Sequence, residues 1–318
     1  MPVKLPYLAS LAVSIIFGFS FIFTKEALQV LTPFQLLGFR FAGAALLLTM
    51  LKFGGLIKID FAGKPVKKLF ILAAFQPFLY FICENVGVKL TSASQAGMMI
   101  AVVPVVSAVL GAAFLKEYPT KAQWFFIFLS VSGVFLIIFY QGSLGGENKL
   151  IGTLILLGAA FAAGVYNILS RKNSLEFKPL EITYIMMWVG AVVFNVLGII
   201  QAFATNVSFN SYITVLLDVR AYSAILYLGI LSSVLAFLLL NFSLAHIQAS
   251  QAAVFTNLTT LISILAGVLI LKEDFFWYQG LGAILIILGV WGTLHFSSKH
   301  KTQSITVDYV NKVVIKKT

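Results

Sequence analysis

Apolar residues fill runs of roughly twenty positions along most of the chain, and short polar intervals separate these runs. A helix needs about 20 mainly apolar residues to cross the hydrocarbon core of a bilayer. The runs are continuous rather than alternating, which favours helices over the strands of a membrane barrel. The pattern therefore predicts an all-α, polytopic membrane protein with ten transmembrane helices, at about 5–31, 34–51, 69–88, 95–115, 121–140, 150–170, 180–203, 221–242, 249–271 and 276–296.

The composition excludes an ordinary soluble domain, because 60% of the residues are hydrophobic and only 10% are charged. A net charge of +11 would suit nucleic-acid binding, but most basic residues lie in the short intervals and the tail, so we expect no nucleic-acid partner. The single cysteine, Cys83, lies within an apolar run, which excludes an intrachain disulfide and a cysteine zinc site. The first run follows Lys4 and exceeds the usual length of a signal-peptide core, so we interpret it as a retained span.

Two short motifs recur at one offset of 156 positions. Ala-Ser-Gln-Ala at 93–96 returns at 249–252, and Leu-Lys-Glu at 115–117 returns at 271–273. Two matches in one register indicate an internal duplication. Further matches at this offset include Asn85 with Asn241, and an offset of 146 relates Gly18 with Gly164, Lys25 with Arg171, and Pro33 with Pro179.

The repeated Ala-Ser-Gln-Ala motif precedes an apolar run in both places. Serine is a good helix N-cap, so we interpret the motif as a helix start in which Ser94 and Ser250 cap spans four and nine. The alternative is a positive helix end directed at an anionic solute group.

The duplication divides the chain into two halves. The ten-residue difference between the offsets falls around 206–218, where a change of loop length costs little. We predict two five-helix repeats, at 5–140 and 150–296, followed by a basic cytoplasmic tail at 297–318. Because five is an odd number, the second repeat begins on the opposite side of the membrane from the first. The repeats are therefore expected to be inverted.

The distribution of basic residues gives the orientation. If the N-terminus is inside, sixteen Lys and Arg residues lie in inner segments and five lie at outer ones. This bias follows the positive-inside rule. We therefore predict a multi-pass protein of the plasma membrane with both termini in the cytoplasm.

Several residues form an ordered set along the two halves. They are Phe17-Gly18-Phe19-Ser20 before Lys25, then Pro33, Phe39-Arg40-Phe41, the stretch 84–96, Pro104, and the two Leu-Lys-Glu motifs. This set resembles the EamA-type ten-helix carriers of the drug/metabolite transporter superfamily over essentially residues 5–296. The resemblance implies inverted five-helix repeats around a central cavity and movement of small solutes by alternating access. Two departures are Phe17, where Trp is common in the family, and Thr260, which aligns with Pro104.

Glu84 is the most informative polar residue within a span. A carboxylate at mid-helix costs about 2.5 to 3.5 kcal/mol on insertion scales, so it usually faces a cavity or a partner. Gln76, Tyr80 and Glu84 stand at i, i+4 and i+8 and share one helix face. We predict that this stripe lines the solute path, where Glu84 binds a substrate amine or carries a coupling proton. Alternatively, Glu84 is an interfacial carboxylate that pairs with Lys89 or caps a neighbouring helix.

Arg40 lies about two turns into span two. It is predicted to bind a solute carboxylate or to pair with Glu84, and the alternative is that it snorkels to the outer surface. The remaining candidates are polar or aromatic residues of later spans. Their alternative role is ordinary contact between helices; they are Asn167, Trp188, Asn257 and Thr260.

Together these features predict a secondary transporter that exports amino acids or similar small metabolites across the plasma membrane, either as a monomer or as a homodimer. The chain has no Walker sequence, so a proton gradient or downhill flow is expected to drive it. We expect no enzyme activity, cofactor or metal. The three histidines form no cluster, and no span contains a pair of acidic residues that could act together. The alternatives are a lipid or lipid-precursor flippase, and a drug or choline-like amine carrier of the same fold.

Overall fold

A computed structural model describes residues 5–144, 146–206 and 208–296, and within these ranges the regular structure is entirely helical. A short helix, Phe209–Thr214, lies between the seventh and eighth of the long helices, and the predicted tail at 297–318 lies outside the described residues. The long helices, in chain order, are α1 (Leu5–Ala27), α2 (Pro33–Phe53), α3 (Lys67–Leu90), α4 (Ala93–Leu115), α5 (Lys121–Leu144), α6 (Gly146–Asn173), α7 (Pro179–Ala204), α8 (Val219–His246), α9 (Ala249–Ile270) and α10 (Trp277–His295).

The length and composition of these helices suit a bilayer. Among the described helices, α1 to α4 and α6 to α9 are long and apolar enough to cross a membrane, and α10 contains a shorter apolar stretch, Trp277–Thr293. Large apolar side chains such as Phe53 and Phe135 are exposed, whereas Arg40 and Glu84 are buried. An apolar exterior around a polar interior is what a lipid environment requires. The prediction of an all-α, polytopic membrane protein is confirmed.

The start of α4 corrects one sequence prediction. The N-cap is Ser92, whose hydroxyl accepts a hydrogen bond from the third backbone N–H of the helix. Ser94 lies inside the first turn, so its prediction as the N-cap was wrong by two residues. In α9, Gln248 precedes the helix and Ser250 lies inside it, so the second predicted cap was wrong as well. The repeated motif is the first turn of each helix rather than its cap.

Two of the long helices contain a π-helical segment near their centres. In α3, α-helical turns at Lys67–Ala73 and Tyr80–Leu90 flank a π-helical segment, Ala74–Leu79, where Gln76 has extended backbone angles (φ −145°, ψ 114°). In α8, a π-helical segment spans Tyr227–Ala236. The two segments overlap when the halves are aligned at the offset of 156. Such breaks in helical geometry are frequent at functional sites, and in membrane transporters they commonly border the solute.

The two halves of the chain exchange helix contacts. Helix α1 packs against α9, and helix α6 packs against α4. At each contact a glycine faces a side chain of the other half with no room for a Cβ, Gly18 against Ile262 and Gly164 against Val106. Gly164 stands 146 positions after Gly18, and Ile262 stands 156 positions after Val106. These are the two offsets of the internal duplication, so the two contacts are equivalent. Close packing through small residues holds the halves together.

Candidate functional site

A partly open cavity lies between α1, α2, α3, α4, α6, α8 and α9. Part of the wall is apolar, with four phenylalanines, Phe17, Phe21, Phe81 and Phe237. The polar part is built by Ser20, Arg40, Gln76, Tyr80, Glu84, Asn167, Ser232, Thr256 and Thr259.

Arg40 is fixed in the wall of this cavity. Its Nε donates a hydrogen bond to Oγ of Ser233 at 2.7 Å, and its Nη2 donates to Oγ of Ser232 at 2.8 Å. The guanidinium carbon lies 4.4 Å from the ring centroid of Phe81, a cation–π contact. The side chain is only 2% exposed, so the alternative that it snorkels to the surface was wrong. Two of its nitrogens are held, and Nη1 makes no hydrogen bond to the described residues.

Glu84 lies on α3 in the same cavity and is also 2% exposed. Its carboxylate accepts one hydrogen bond, from Nδ2 of Asn85 to Oε2 at 3.3 Å. It forms no ion pair with Lys89 among the described residues, so that alternative was wrong. Arg40 acts on Glu84 electrostatically, yet none of its nitrogens lies within 4.0 Å of the carboxylate. The cavity thus holds a guanidinium group and a carboxyl group that form no direct ion pair in the described part of the chain.

The other members of the predicted stripe on α3 face the same space. Gln76 stands at the break in the helix and is 4% exposed, and its side-chain amide makes no hydrogen bond to the described residues. Tyr80 packs its ring edge-on against Phe81, with 4.8 Å between the centroids. Asn167 of α6 donates from Nδ2 to Oγ of Ser107 at 3.1 Å. The structure brings all of these lining side chains together with Arg40.

Three sequence candidates fall elsewhere or outside the description. Thr260 is buried and donates to the carbonyl oxygen of Gly97 at 2.7 Å, which is a contact between α9 and α4. Trp188 is 36% exposed and donates from Nε1 to Thr49 Oγ1 at 3.1 Å, away from the residues that line the cavity. The side chain of Asn257 lies outside the described residues.

Several lining residues were not predicted as contacts. Ser232 and Ser233 hold Arg40 from α8, and only the alignment of Ser232 with Gln76 points to that segment in the sequence. Thr259 is 1% exposed, lines the cavity, and has a hydroxyl without a hydrogen-bond partner among the described residues. Thr256 shares a helix face with Thr259 at i+3 and with Thr260 at i+4, so helical spacing alone does not show which of the two lines the cavity.

One end of the bundle carries a set of polar contacts around the start of α4. Lys25 at the end of α1 donates to the carbonyl oxygens of Val88, at 3.0 Å, and Thr91. Glu273, which follows α9, accepts hydrogen bonds from the backbone N–H groups of Ala93 at 2.9 Å and Ser94 at 3.1 Å. A carboxylate at a helix N-terminus is favourable because unpaired N–H groups converge there. The acid comes from the other half of the chain.

The other end carries the equivalent contacts around the start of α9. Arg171 donates from Nη1 to the carbonyl oxygen of Leu244 at 3.0 Å, as Lys25 does at Val88. Glu117, which follows α4, accepts from the N–H of Ala249 at 3.2 Å. The ends differ in one respect. Arg171 and Glu117 form an ion pair at 3.2 Å, and Lys25 forms no such pair within 4.0 Å in the described part of the chain.

Comparisons with known proteins agree with the resemblance seen in the sequence. The EamA-like transporter family matches residues 4–139 and 150–294. The uncharacterized transporter YcxC of Bacillus subtilis (strain 168) is 36% identical over 287 residues, which cover 90% of this chain and 92% of that protein. An uncharacterized transporter of Archaeoglobus fulgidus is 28% identical over 283 residues, covering 88% and 93%. A solved crystal structure with 14% identity has a TM-score of 0.71 and covers 92% of this chain and 98% of that one, which supports the fold alone.

Proposed function

Because the chain belongs to the EamA-like transporter family, we propose that it is a secondary carrier that exports amino acids or similar small metabolites across the plasma membrane. Arg40 and Glu84 supply the observation that carries this proposal. They are buried, oppositely charged and in one cavity, without a direct ion pair among the described contacts. Buried charges are costly until they are paired. A zwitterion brings an anionic group that can pair with Arg40 and a cationic group that can pair with Glu84.

In the proposed complex each part of an amino acid has a partner among the lining residues. The carboxylate accepts a hydrogen bond from the free Nη1 of Arg40, and the ammonium group faces the carboxylate of Glu84. The phenylalanines of the wall receive an apolar part of the solute. A simple cation such as a choline-like amine has no anionic group for Arg40. The geometry therefore favours an amphoteric solute over an amine.

In this proposal ten spans form two inverted five-helix repeats with both termini in the cytoplasm. The equivalent contacts of Gly18 with Ile262 and of Gly164 with Val106 support a duplicated architecture. The equivalent ties of Lys25 and Arg171 to carbonyl oxygens support it as well. The excess of basic residues in the inner segments supports the orientation.

Alternating access then amounts to opening the two ends of the bundle in turn. With this orientation, the contacts around Glu273 lie at the outer end and those around Glu117 lie at the inner end. Each acid belongs to one half and binds the helix start of the other, so a rocking motion of the halves breaks one set of contacts before the other. The solute is released on the side whose contacts are broken.

Glu84 also offers a means of coupling transport to protons. The carboxylate of Glu84 can be protonated, or it can pair with an ammonium group in its ionised form. The proton and the ammonium group therefore compete for it. A proton that enters Glu84 from outside therefore displaces the solute amine, and solute from the cytoplasm displaces the proton. This exchange uses a proton gradient to drive export without ATP.

The solute class is tested by the melting temperature of the purified protein with amino acids, amines, drugs and lipids. Amino acids should raise the melting temperature, since a ligand that binds the folded state stabilises it by mass action. The matched variant is Arg40→Gln, which removes the anion partner and should abolish the rise. A protein stabilised only by amines or lipids contradicts the proposal.

A further inference from the structure

The loop between α2 and α3 is much more basic than the corresponding loop of the second half. Residues 52–68 contain five lysines and one aspartate, whereas residues 204–220, between α7 and α8, contain one arginine and one aspartate. The side chains of Lys58, Lys67 and Lys68 are exposed. An excess of positive charge at one end of the bundle attracts a partner of the opposite charge.

The acidic residues around this loop already have partners. The buried carboxylate of Glu181 on α7 forms an ion pair with Lys64 at 2.5 Å and accepts the backbone N–H of Asp60 at 3.4 Å. Glu176, just before α7, forms an ion pair with Lys68 at 2.6 Å. Oδ1 of Asp60 accepts a backbone N–H within the loop at 2.9 Å. The loop is thus joined to α7, and its acids do not neutralise the remaining lysines.

Three lysines of this loop form no ion pair in the described part of the chain; they are Lys52, Lys58 and Lys67. Lys52 lies in the last turn of α2, with its Nζ 5.5 Å from the ring centroid of Tyr184. The chain turns back directly after α2, because the N–H of the residue before Lys58 bonds to the carbonyl oxygen of the residue before Lys52, at 3.3 Å. Two of the unpaired cations therefore lie near each other at the end of α2.

Large apolar side chains are exposed between these two lysines in the sequence. Phe53 is 85% exposed and Leu56 is 75% exposed. The end of a transmembrane helix lies at the boundary of the membrane, where apolar side chains enter the acyl region and lysines reach the headgroups. A small soluble anion would neutralise the lysines and leave Phe53 and Leu56 in water. The combination fits an anion that carries its own apolar part.

A strip of contacts continues from Lys52 along α2 and α7 towards the middle of the membrane. The hydroxyl of Tyr184 lies 3.3 Å from Oγ1 of Thr49, and Nε1 of Trp188 donates to the same oxygen at 3.1 Å. Trp188 is 36% exposed and Met50 is 68% exposed. Tyrosine and tryptophan are typical of the membrane interface, because one part of the ring is apolar and its tip is polar. The strip supplies an apolar surface for acyl chains next to a cation.

We propose that this end of the bundle binds an anionic phospholipid, with its phosphate paired to Lys52 and Lys58 and its acyl chains against Trp188 and Met50. A zwitterionic lipid brings a further cation, and the acids around the loop are already paired. The loop belongs to the first half of the chain and α7 to the second. A lipid bound across them should therefore stabilise the contact between the halves. This inference goes beyond the proposed function and does not depend on the solute.

The test follows the melting temperature of the full-length protein in a neutral detergent. The additives are phosphatidylglycerol, phosphatidylcholine with the same acyl chains, and glycerol phosphate. Phosphatidylglycerol should give the half-maximal rise at a concentration at least about tenfold lower than phosphatidylcholine, and added salt should weaken this preference. An equal response to the two lipids contradicts the site. A rise of the same size with glycerol phosphate contradicts it as well, since it would show that a free anion is sufficient.

Lys52→Gln with Lys58→Gln should raise the half-maximal concentration of phosphatidylglycerol by about tenfold and leave the response to phosphatidylcholine unchanged. The control is Lys89→Gln with Lys272→Gln, which removes two exposed lysines from the other end of the bundle. The control should respond as the wild type does. An equal loss in both double variants would mean that net charge alone attracts the lipid, which contradicts a site at the end of α2.

Phe53→Ser with Leu56→Ser tests the apolar part without a change of charge. It should weaken the response to both lipids and keep the preference for phosphatidylglycerol. Phe203→Ser is its control, because Phe203 is 79% exposed in the last turn of α7, at the other end. A variant without Phe53 and Leu56 that binds both lipids as the wild type does contradicts the apolar contact. A preference for phosphatidylglycerol without any response to amino acids contradicts the proposed function and leaves the lipid site supported.

Discussion

Arg171 forms an ion pair with Glu117, with 3.2 Å between Nε and Oε1, and the two side chains are 14% and 8% exposed. The same carboxylate accepts the backbone N–H of Ala249 at the start of α9. One acid therefore links three helices, α4, α6 and α9. A mostly buried pair of this kind is costly to break, because the remaining charge loses its partner and has little water to replace it.

Glu117→Gln should lower stability by about 1 to 3 kcal/mol, after allowance for the partial exposure of the pair. The control is Glu176→Gln, whose carboxylate pairs with Lys68 while the two side chains are 26% and 48% exposed. That change should cost at most about 1 kcal/mol. Thermal unfolding of both variants in one detergent measures the difference. Equal losses of stability would mean that the pair of Arg171 and Glu117 contributes no more than an exposed pair.

Thr259→Val and Thr260→Val should have opposite effects on stability. Thr259 has a buried hydroxyl that finds no partner in the described ranges, so its removal should leave the ligand-free protein as stable or more stable. Thr260 donates to the carbonyl oxygen of Gly97, so its removal should cost about 1 kcal/mol. Only Thr259→Val should also weaken solute binding, because only Thr259 lines the cavity. Melting curves with and without amino acid give both results, and a larger loss of stability in Thr259→Val would contradict this assignment.

The double change Ser232→Ala with Ser233→Ala should release the guanidinium of Arg40. Both hydroxyls accept hydrogen bonds from it, so their loss should raise the amino acid concentration for half-maximal stabilisation by roughly tenfold. Ser223→Ala, on the same helix, is the control because Ser223 bonds only to the backbone of Arg220. A double variant with the affinity of the wild type would show that Arg40 needs no positioning.

Glu84→Gln should separate binding from proton coupling. Glutamine still accepts a hydrogen bond from an amine, so transport should persist at high solute concentration with about tenfold weaker affinity. It carries no titrating proton, so the residual transport should not respond to a pH gradient. Uptake into proteoliposomes with and without the gradient measures this. If the variant responds to the gradient as the wild type does, Glu84 is not the coupling group.

The charged part of the site could be predicted from the sequence. Glu84 and Arg40 are informative because ionisable residues within spans are costly, and the spacing of Gln76 and Tyr80 places them on the face of Glu84. The structure places all four in the wall of one cavity. Each of these inferences depended on the period of one helix or on the cost of one buried charge.

The remaining contacts depend on how helices meet, which the sequence does not give. Trp188 lies deep in a predicted span, yet it faces outward because α7 lies at the edge of the bundle. Thr260 forms a contact between helices, and its neighbour Thr259 faces the cavity. Ser233 approaches Arg40 through the π-helical segment of α8, which shifts the faces of the helix away from the ideal period.

The most direct test is counterflow of a radiolabelled amino acid in liposomes that contain the purified protein, compared for the wild type, Arg40→Gln, and Glu26→Gln as a control at a span end. We expect saturable exchange by the wild type and by Glu26→Gln, and a half-saturating concentration raised by at least about tenfold in Arg40→Gln. Exchange by Arg40→Gln at the affinity of the wild type, or no exchange of any amino acid by the wild type, would contradict the proposed function.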